Sequence, residues 1–502
     1  MAPNHKTYLF GLRGTALEWG LIVAVIFPAY TVFGWNNGIA GSQLSNTYWE
    51  KTFPLINTSG LEGGEKLHAT QIQGTVVATY TLGALFGAIS CIWIGDPLGR
   101  RKTMALGAIV SVIGVILETS AFSVGQLVVG RLVEGIGFGA LSATAPNWQT
   151  ECSTSGHRGS AVVLESMFIS LGLALQGWIS LGFSYVHSSA SWRVPIAFSI
   201  FWCTLVVLAL PFVPESPRWL IKHGRNEEAR EVLSAIEDKS IDSAEVNFAM
   251  SEIEEKVRIA GKGKFADIFK MGELRLLNRV FLASAAGFFQ QFCGINALAF
   301  YQTTIFETYL GVSGQTAKIL AASVFTWQTL CSPIGVLTVD RFGRRKLMLL
   351  AEAGMGCSMA VIAGCSSDPG SRSAVIVAGV FIFMFSLFFP IGFLGLAFLY
   401  ASEISPLEVR VYITSVSTAV MTPAILAQVN GRYYILYAAI NLFLVLPVVY
   451  FCFPETNGRT LEEIDEIFSN SKNIFQPVKF SRDVARNNTS YPNTHLEKGE
   501  DT

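Results

Sequence analysis

The chain has 502 residues, of which 51% are hydrophobic and only 15% are charged. Ordinary soluble domains are about one quarter charged, so this composition and the mean hydropathy of +0.44 exclude a soluble globular protein. The sequence therefore predicts a protein that crosses a membrane many times. The formal net charge of -1 adds little, because the charges collect in short loops, one central segment and the two tails.

Twelve apolar runs follow one another along the chain, each long enough for a helix that crosses a bilayer. They lack the residue-by-residue alternation of a membrane barrel, so the predicted fold class is an all-α membrane protein with twelve transmembrane helices. The predicted spans are 19–40, 71–94, 104–122, 125–148, 160–183, 194–213, 279–306, 316–338, 347–365, 374–400, 410–430 and 432–453.

A polar segment separates the sixth run from the seventh and has the pattern of short amphipathic helices. It predicts two six-helix bundles joined by a helical linker. The first run follows a short, mixed polar tail instead of a cleavable signal peptide. The predicted organisation is a tail at 1–18, a bundle at 19–213, the linker at 214–276, a bundle at 277–453 and a tail at 454–502.

The eight cysteines are scattered along the chain without a CxxC pair. This spacing predicts neither a disulfide framework nor a metal site. The sequence also lacks a phosphate-binding loop of the GxxxxGK[ST] kind, so pumping driven by a nucleotide is not favoured. No cofactor and no nucleic acid partner is predicted.

Two short loops carry the densest basic charge, GDPLGRRK (95–102) and VDRFGRRK (339–346). The positive-inside rule places both in the cytoplasm. Counting the spans outward from them puts both termini and the linker in the cytoplasm, and the loop at 42–70 outside. That external loop contains the acceptor triplet Asn-Thr-Ser, which predicts glycosylation at Asn57.

The two halves repeat one charged pattern. Asp96 and Asp340 occupy the same place in the two basic loops, and PESPRWL and PETNGRTLEE close the first and second halves. Each half also has a glutamate followed by an arginine seven residues later (158 − 151 = 7 and 410 − 403 = 7), as Glu151 with Arg158 and Glu403 with Arg410. Parallel duplication of a six-helix unit is typical of transporters that bind their substrate near mid-membrane, between the halves.

Six segments of the chain, in order, resemble the signatures of the sugar porter family of the major facilitator superfamily. They are GDPLGRRK, GRLVEGIGFG, PESPRWL, QQFCGINALAFY, VDRFGRRK and PETNGRTLEE. The resemblance covers about 15–465, and the sequence HATQIQG before the second span is similar to fungal members. It implies a carrier, with no enzymatic activity, that moves a monosaccharide or polyol by alternating access.

By this resemblance, the repeated charges form a cytoplasmic gate. Ion pairs across the two halves of a carrier hold one state closed and break in the other state, and glycine lets the short loops reverse direction. The alternative is that the arginines only fix the topology. The candidate gate residues are Asp96, Arg100, Arg101, Glu151, Arg158, Glu215 and Arg218 in the first half, and Asp340, Arg344, Arg345, Glu403, Arg410 and Glu455 in the second.

The seventh and eighth runs carry amide side chains in apolar surroundings. Amides donate and accept hydrogen bonds, which suits hydroxyl-rich ligands, but they also join helices in membranes, and the residues alone leave both roles open. The resemblance places Gln290, Gln291 and Asn296 on the sugar-contacting positions of the family. Gln328 stands where relatives have a binding asparagine.

Several pocket positions depart from the family pattern. Ser166 replaces a glutamine and Phe398 replaces a tryptophan, while Met421, Thr422 and Ile425 replace polar or aromatic residues of the eleventh span. Each hydroxyl of a hexose left unpaired would cost about 1–3 kcal/mol. These changes favour a smaller polyol, a pentose or a solute less polar than glucose.

The stretch FGWNNGIAG bears on the energy source. Asn36 stands where proton-coupled relatives have an aspartate that pairs with the arginine of helix four, here Arg131. Because an amide cannot ionise, the resemblance favours facilitative uniport. The rival is proton symport that uses Glu165, or Glu134 three residues after Arg131, since carboxylates within a membrane are functional candidates. A purely structural role for Glu165 stays open.

Two further functions remain compatible with the sequence. One is export of a secondary metabolite or organic acid, which the apolar substitutions permit. The other is a non-transporting sugar sensor, although such relatives have longer cytoplasmic tails. The predicted partners are a small solute and the lipid bilayer, with protons added under the symport alternative, and the predicted location is the plasma membrane.

Overall fold

The computed structural model describes a large part of the chain. The described residues are 8–44, 46–58, 61, 63–153, 158–260, 265–309, 311–366, 371–406, 408–420, 431–459 and 461–482. Met421, Thr422 and Ile425 lie outside them, as does the side chain of Arg158, although Arg158 itself begins a helix.

All regular structure in the described residues is helical, which confirms the predicted fold class. The helices of the first half are α1 (Gly14–Gln43), α2 (Gly63–Leu98), α3 (Arg100–Thr119), α4 (Val124–Glu151), α5 (Arg158–Phe183) and α6 (Ala190–Phe212). Those of the second half are α7 (Leu276–Phe292 and Ile295–Thr304), α8 (Gly314–Phe342), α9 (Arg344–Cys365), α10 (Arg372–Glu403), α11 (Arg410–Val420) and α12 (Gly431–Ala439, Ile440–Val445 and Leu446–Cys452).

Ten of the described helical spans are long and apolar enough to cross a membrane. The other two members of the twelve-helix set are α7, which is broken at Gly294, and α11, whose described part ends at Val420. Most helices extend beyond their predicted apolar runs, because polar loop residues continue the helix outside the hydrocarbon layer. The clearest case is α2, whose apolar run covers only 71–94.

Short helices lie outside the membrane helices, and their starts follow from ordinary capping. Asn46 accepts the N–H groups of Tyr48 and Trp49, which begins the helix Thr47–Thr52 in the loop after α1. Ser216 caps the first linker helix in the same way, ahead of a proline at the first helical position. That first linker helix is Pro217–Lys222, and further short α-helices are Asn226–Glu237 and Ala244–Ala260 in the linker and Leu461–Ser469 after α12.

The glycines of GRLVEGIGFG let α4 pack closely between α2 and α3. A Cβ atom on Gly139 would lie 2.0 Å from the carbonyl oxygen of Ala84 in α2. A Cβ atom on Gly137 would lie 2.2 Å from the backbone nitrogen of Ser111 in α3. Small residues at such contacts bring helix backbones together in membranes, so this motif first serves packing.

The two halves meet mainly where α5 lies along α8 and α1 lies against the second segment of α7. Four residues form a small apolar cluster across this seam: Leu173 and Ala174 from α5, Ala299 from α7 and Phe325 from α8. Nearby, the indole nitrogen of Trp178 in α5 donates to the hydroxyl of Thr326 in α8 at 2.9 Å. The seam therefore combines an apolar layer with isolated polar contacts.

Candidate functional site

The first charge cluster (Arg100, Glu151 and Glu215) lies at the predicted cytoplasmic end of the first half. Arg100 at the start of α3 donates from Nε and Nη2 to both carboxylate oxygens of Glu151 at 3.1 and 3.3 Å. The carboxylate of Glu215 accepts the backbone N–H groups of Arg100 and Arg101, at 3.0 and 3.3 Å. It thereby caps α3, where a negative charge is favoured by the helix dipole.

The second charge cluster (Arg344, Glu403 and Glu455) repeats this arrangement at the end of the second half. Arg344 donates to Glu403 from Nη2 at 2.7 Å and from Nε at 3.2 Å. Glu455 accepts the backbone N–H groups of Arg344 and Arg345 at 2.9 and 3.2 Å and so caps α9. Each of these ion pairs joins elements of a single half.

The glycine before each arginine makes room for the capping carboxylate. Gly99 and Gly343 have φ of +82° and +89°, a conformation that glycine adopts without a steric penalty. A Cβ atom would lie 2.9 Å from Glu215 Oε2 at the first glycine and 2.5 Å from Glu455 Oε2 at the second. Burial raises the pKa of Glu215, and the backbone N–H groups that it accepts partly offset the rise.

The other candidate gate residues surround these clusters. Asp96 pairs with Lys222 of the linker, while Asp340 accepts from Arg344 at 3.0 Å. Arg218 lies close enough to Glu151 to act on it electrostatically. Two further arginines bind backbone carbonyl groups: Arg345 that of Tyr450 at 2.6 Å, and Arg410 that of Ser405 at 3.2 Å. The side chain of Arg101 acts electrostatically on Glu215.

The amides of α7 lie beside the breaks in α7 and α10. Gln290 is buried and donates to the carbonyl groups of Phe393 and Leu394 at 3.2 and 2.9 Å, where α10 is interrupted. Carbonyl groups freed by a helix break within a membrane need such partners. Gln291 in turn accepts a hydrogen bond from Asn296 at 2.8 Å. These amides therefore hold one another and the broken helix.

Gln328 lies at the seam between the halves. Its Nε2 donates to Ser170 of α5 at 3.1 Å, and the hydroxyl of Ser332 reaches the same serine at 3.3 Å. The Oε1 atom of Gln328 is buried without a described partner. Ser166 lies one turn from Ser170 on α5 and is also buried, whereas Phe398 is half-buried against the core of the second half.

Asn36 lies inside the first half. Its Oδ1 accepts from Ser199 of α6 at 2.6 Å, and the side chain also lies against the hydroxyl of Tyr80 in α2. Arg131, which relatives pair with this position, instead forms an ion pair with Glu118 of α3, with Nε and Oε2 3.4 Å apart. Glu134 lies beside both charged groups and acts on Glu118 electrostatically.

Comparison with known proteins assigns the chain to a protein family. The family model described as "Sugar (and other) transporter" matches residues 21–468. The chain belongs to this family of the major facilitator superfamily. Its members are transporters and not enzymes, in agreement with the expectation from the sequence.

The transporter is similar to two curated fungal proteins over most of its length. It is 36% identical to the MFS-type transporter oryC of Aspergillus oryzae, covering 93% of this chain and 88% of the relative. It is 31% identical to the sugar transporter STL1 of Saccharomyces cerevisiae, covering 92% and 83%. Among solved structures, the proton:xylose symporter XylE bound to 6-bromo-6-deoxy-D-glucose matches with a TM-score of 0.76 at 21% identity, covering 91% of this chain and 100% of that chain. The shared fold is thereby shown.

Glu118 is a buried charged residue that the sequence did not indicate. Its carboxylate is fully buried, and its partner Arg131 is 1% exposed. The residue ends an otherwise apolar run and reads as the edge of a span, because the sequence does not show which way a helix is rotated. The one indication in the sequence was Arg131, a cation within a span of the same half that needs an acidic partner.

Glu165 has a neighbour that the sequence also did not indicate. Its carboxyl hydrogen-bonds the hydroxyl of Tyr30 in α1, and both side chains are buried. Its Oε1 is buried without a described partner. Glu165 therefore combines a local structural contact with one acceptor atom that stays unused.

A polar cavity of about 520 Å³, open space at its mouth included, lies between the halves on the predicted outer side. The sequence does not indicate this outer cavity, because its polar residues are scattered among apolar neighbours on five helices and a loop. Its polar lining includes Gln43 of α1, Gln176 and Ser180 of α5, Gln302 and Thr303 of α7, and Lys318 of α8.

Proposed function

We propose that the transporter moves a monosaccharide or polyol across the plasma membrane by alternating access, with both termini in the cytoplasm. The observation that carries this proposal is the seam at Gln328, where an amide and two serine hydroxyls meet between α5 and α8. These groups can all donate and accept, so they suit a solute rich in hydroxyl groups. The sugar transporter STL1 and the low-affinity glucose transporter HXT3 of S. cerevisiae, both relatives, support this class of solute.

In this proposal the two charge clusters support the cytoplasmic gate from within each half, because their ion pairs do not cross between the halves. Each cluster ties the start of one helix to the residues that close its half, which keeps that half rigid during a rocking motion. The seam between α5 and α8 is held by fewer polar contacts and is the place where the halves separate. Alternating access then exposes the seam to one side of the membrane at a time.

Facilitative uniport is the proposed energetic mode. Asn36 is bound to Ser199 and not to Arg131, so it neither carries a proton nor neutralises the arginine. Without a group at this position that gains and loses charge, solute moves down its own gradient. Asn36 then ties α1 to α6 through Ser199 inside the first half and stays uncharged throughout the cycle.

The test is uptake of labelled hexoses, pentoses and glycerol by a transporter-deficient yeast that expresses the full chain, with and without a protonophore. We expect saturable uptake of at least one solute that equilibrates across the membrane and is unchanged by the protonophore. Strong accumulation that the protonophore abolishes would overturn uniport. Absence of uptake for every solute, with the protein present at the cell surface, would overturn the proposed function.

Proton symport is the second candidate, because the first half contains more buried acid than buried base. One guanidinium, that of Arg131, faces the two carboxyl groups of Glu118 and Glu134. A single arginine neutralises one carboxylate, and a second buried negative charge is costly. One of the two acids is therefore suited to hold a proton, and Glu165 offers a further site with an unused oxygen.

Two matched substitutions separate these modes. Under symport, Glu134→Gln or Glu165→Gln abolishes accumulation against a gradient while exchange of solute across the membrane continues. Under uniport, both variants equilibrate the solute at a rate close to that of the original chain. Glu255→Gln, which removes a carboxyl from the exposed part of a linker helix, is the control for a nonspecific change of charge.

A further inference from the structure

The outer cavity contains hydrogen-bonding atoms that the protein leaves unused. Gln43 and Gln302 are 1% and 2% exposed, and the Oε1 atom of each has no described hydrogen-bond partner. By contrast, Gln176 is occupied, since its Nε2 donates to Ser42 at 2.7 Å and to Ser180 at 2.8 Å. A buried amide oxygen without a partner is costly, so two acceptors in one cavity indicate a ligand that brings donors.

The same cavity contains one cationic side chain. Lys318 is half-buried on the cavity wall and forms no ion pair within 4.0 Å with any described residue. Glu307 of the turn after α7 acts on it electrostatically from a longer distance, and Glu50 in turn faces Glu307. An ammonium withdrawn from water needs an acceptor in contact, and a carboxylate provides the strongest one.

The outer cavity ends on the apolar layer between the halves. Phe325 and Ala299 belong both to the cavity wall and to the cluster that they form with Leu173 and Ala174. Lys318, Phe325 and Gln328 follow one another on α8, and the lysine is ten residues, or about 15 Å, before the glutamine (328 − 318 = 10). A solute in the outer cavity is thus separated from the seam at Gln328 by one apolar layer.

We infer that the outer cavity is an entry site for a small polyhydroxy monocarboxylate, such as an aldonic or uronic acid, which Lys318 holds by its carboxylate. Hydroxyl groups of the same solute donate to the amide oxygens of Gln43 and Gln302. A neutral polyol satisfies these two oxygens but leaves the ammonium without a charged partner. The inference rests on the proposed transport function and extends its solute class from neutral sugars and polyols to sugar acids.

The experiment compares D-gluconate with sorbitol, which has the same carbon chain but a CH2OH group in place of the carboxylate. Binding of each to the purified full chain is measured by titration calorimetry at pH 7. We expect gluconate to bind about tenfold more tightly than sorbitol. Lys318→Gln should bring this ratio close to one, and Lys318→Arg should preserve most of it. Glu307→Gln removes the competing carboxylate and should raise the ratio.

Equal affinities in the original chain, or an unchanged ratio in Lys318→Gln, would overturn the inference. A melting temperature close to that of the original chain shows that the variant is folded, and Lys318→Arg keeps the charge if Lys318→Gln is not. Uptake of a neutral sugar without gluconate binding would overturn the entry site and leave the proposed function intact. Gluconate binding with the expected ratio, in a chain that transports no solute, would uphold the binding site and overturn the proposed function.

Discussion

The two charge clusters have the same frame but distribute their contacts differently. In both, a carboxylate from the residues that close the half caps a helix that begins with two arginines. The Arg344 side chain binds Glu403 and additionally Asp340 and Asn457, and is 6% exposed. The Arg100 side chain binds Glu151 and is 19% exposed. The second cluster thus concentrates its contacts on one arginine.

The partner of each loop aspartate explains this difference. Asp340 turns to Arg344, four residues later, whereas Asp96 pairs with Lys222 of the linker. Trp219 of the linker also donates to the carbonyl group of Asp96 at 2.7 Å. The repeat therefore gives both clusters the same capping carboxylate and the same arginine–glutamate pair. The linker follows only the first half, and it draws Asp96 away from Arg100 by offering Lys222 as a partner. The second cluster should therefore be more sensitive to loss of its arginine.

Removing the arginine side chain of each charge cluster is the test of their difference for which we expect the largest effect. Arg344→Ala leaves Glu403 and Asp340 without their shared partner, and we expect a loss of about 3–5 kcal/mol in stability and of nearly all transport. Arg100→Ala should cost about 1.5–3 kcal/mol, because its guanidinium is more exposed and binds one carboxylate. The measurement is the midpoint of thermal unfolding in detergent, with uptake in cells. Equal effects would contradict the asymmetry.

A methyl group at the capping glycine is the next largest perturbation. Gly343→Ala places Cβ 2.5 Å from Glu455 Oε2 and strains a residue with φ of +89°, at a cost of about 1–3 kcal/mol. Gly99→Ala meets Glu215 at 2.9 Å and should cost less. Thermal unfolding of the two variants ranks them. Gly224→Ala, where φ is +71° and the space is open, gives the cost of backbone strain alone.

A carboxylate at position 36 tests whether this position, which lies between the charge clusters and the outer cavity, controls the dependence of uptake on protons. Asn36→Asp places an ionisable group beside Ser199, and we expect uptake to become several-fold dependent on pH between about 5 and 8. Ser199→Ala should weaken uptake without adding pH dependence, because it removes only the hydrogen bond. Uptake by the aspartate variant that does not vary with pH would show that this position is silent.

The smallest expected effect concerns the seam. Trp178→Phe removes the hydrogen bond to Thr326, which is partly exposed, and should change stability by only about 0.5–1.5 kcal/mol. Because this bond joins the halves, the variant should alter the rate of exchange more than the melting temperature. A large fall in the melting temperature with unchanged exchange would show that the bond is purely structural.

The sequence was sufficient to predict the spans, the repeat and the family, because these depend on the length of apolar runs and on short contiguous sequence motifs. It also marked the charged residues that form both clusters. It could not show that Arg131 pairs with Glu118, since that contact depends on how α3 is rotated. The outer cavity was missed for a similar reason: Lys318 lies near the start of an apolar run, where a lysine ordinarily extends toward the membrane surface.

Counterflow in reconstituted vesicles is the most direct test of the central claim, that solute passes along a polar seam between two rocking halves. Vesicles with the original chain should exchange at least one labelled monosaccharide or polyol with saturable kinetics, and Gln328→Ala should raise KM or abolish exchange. Exchange no faster than in protein-free vesicles for every solute, or exchange unchanged by Gln328→Ala, would contradict the account.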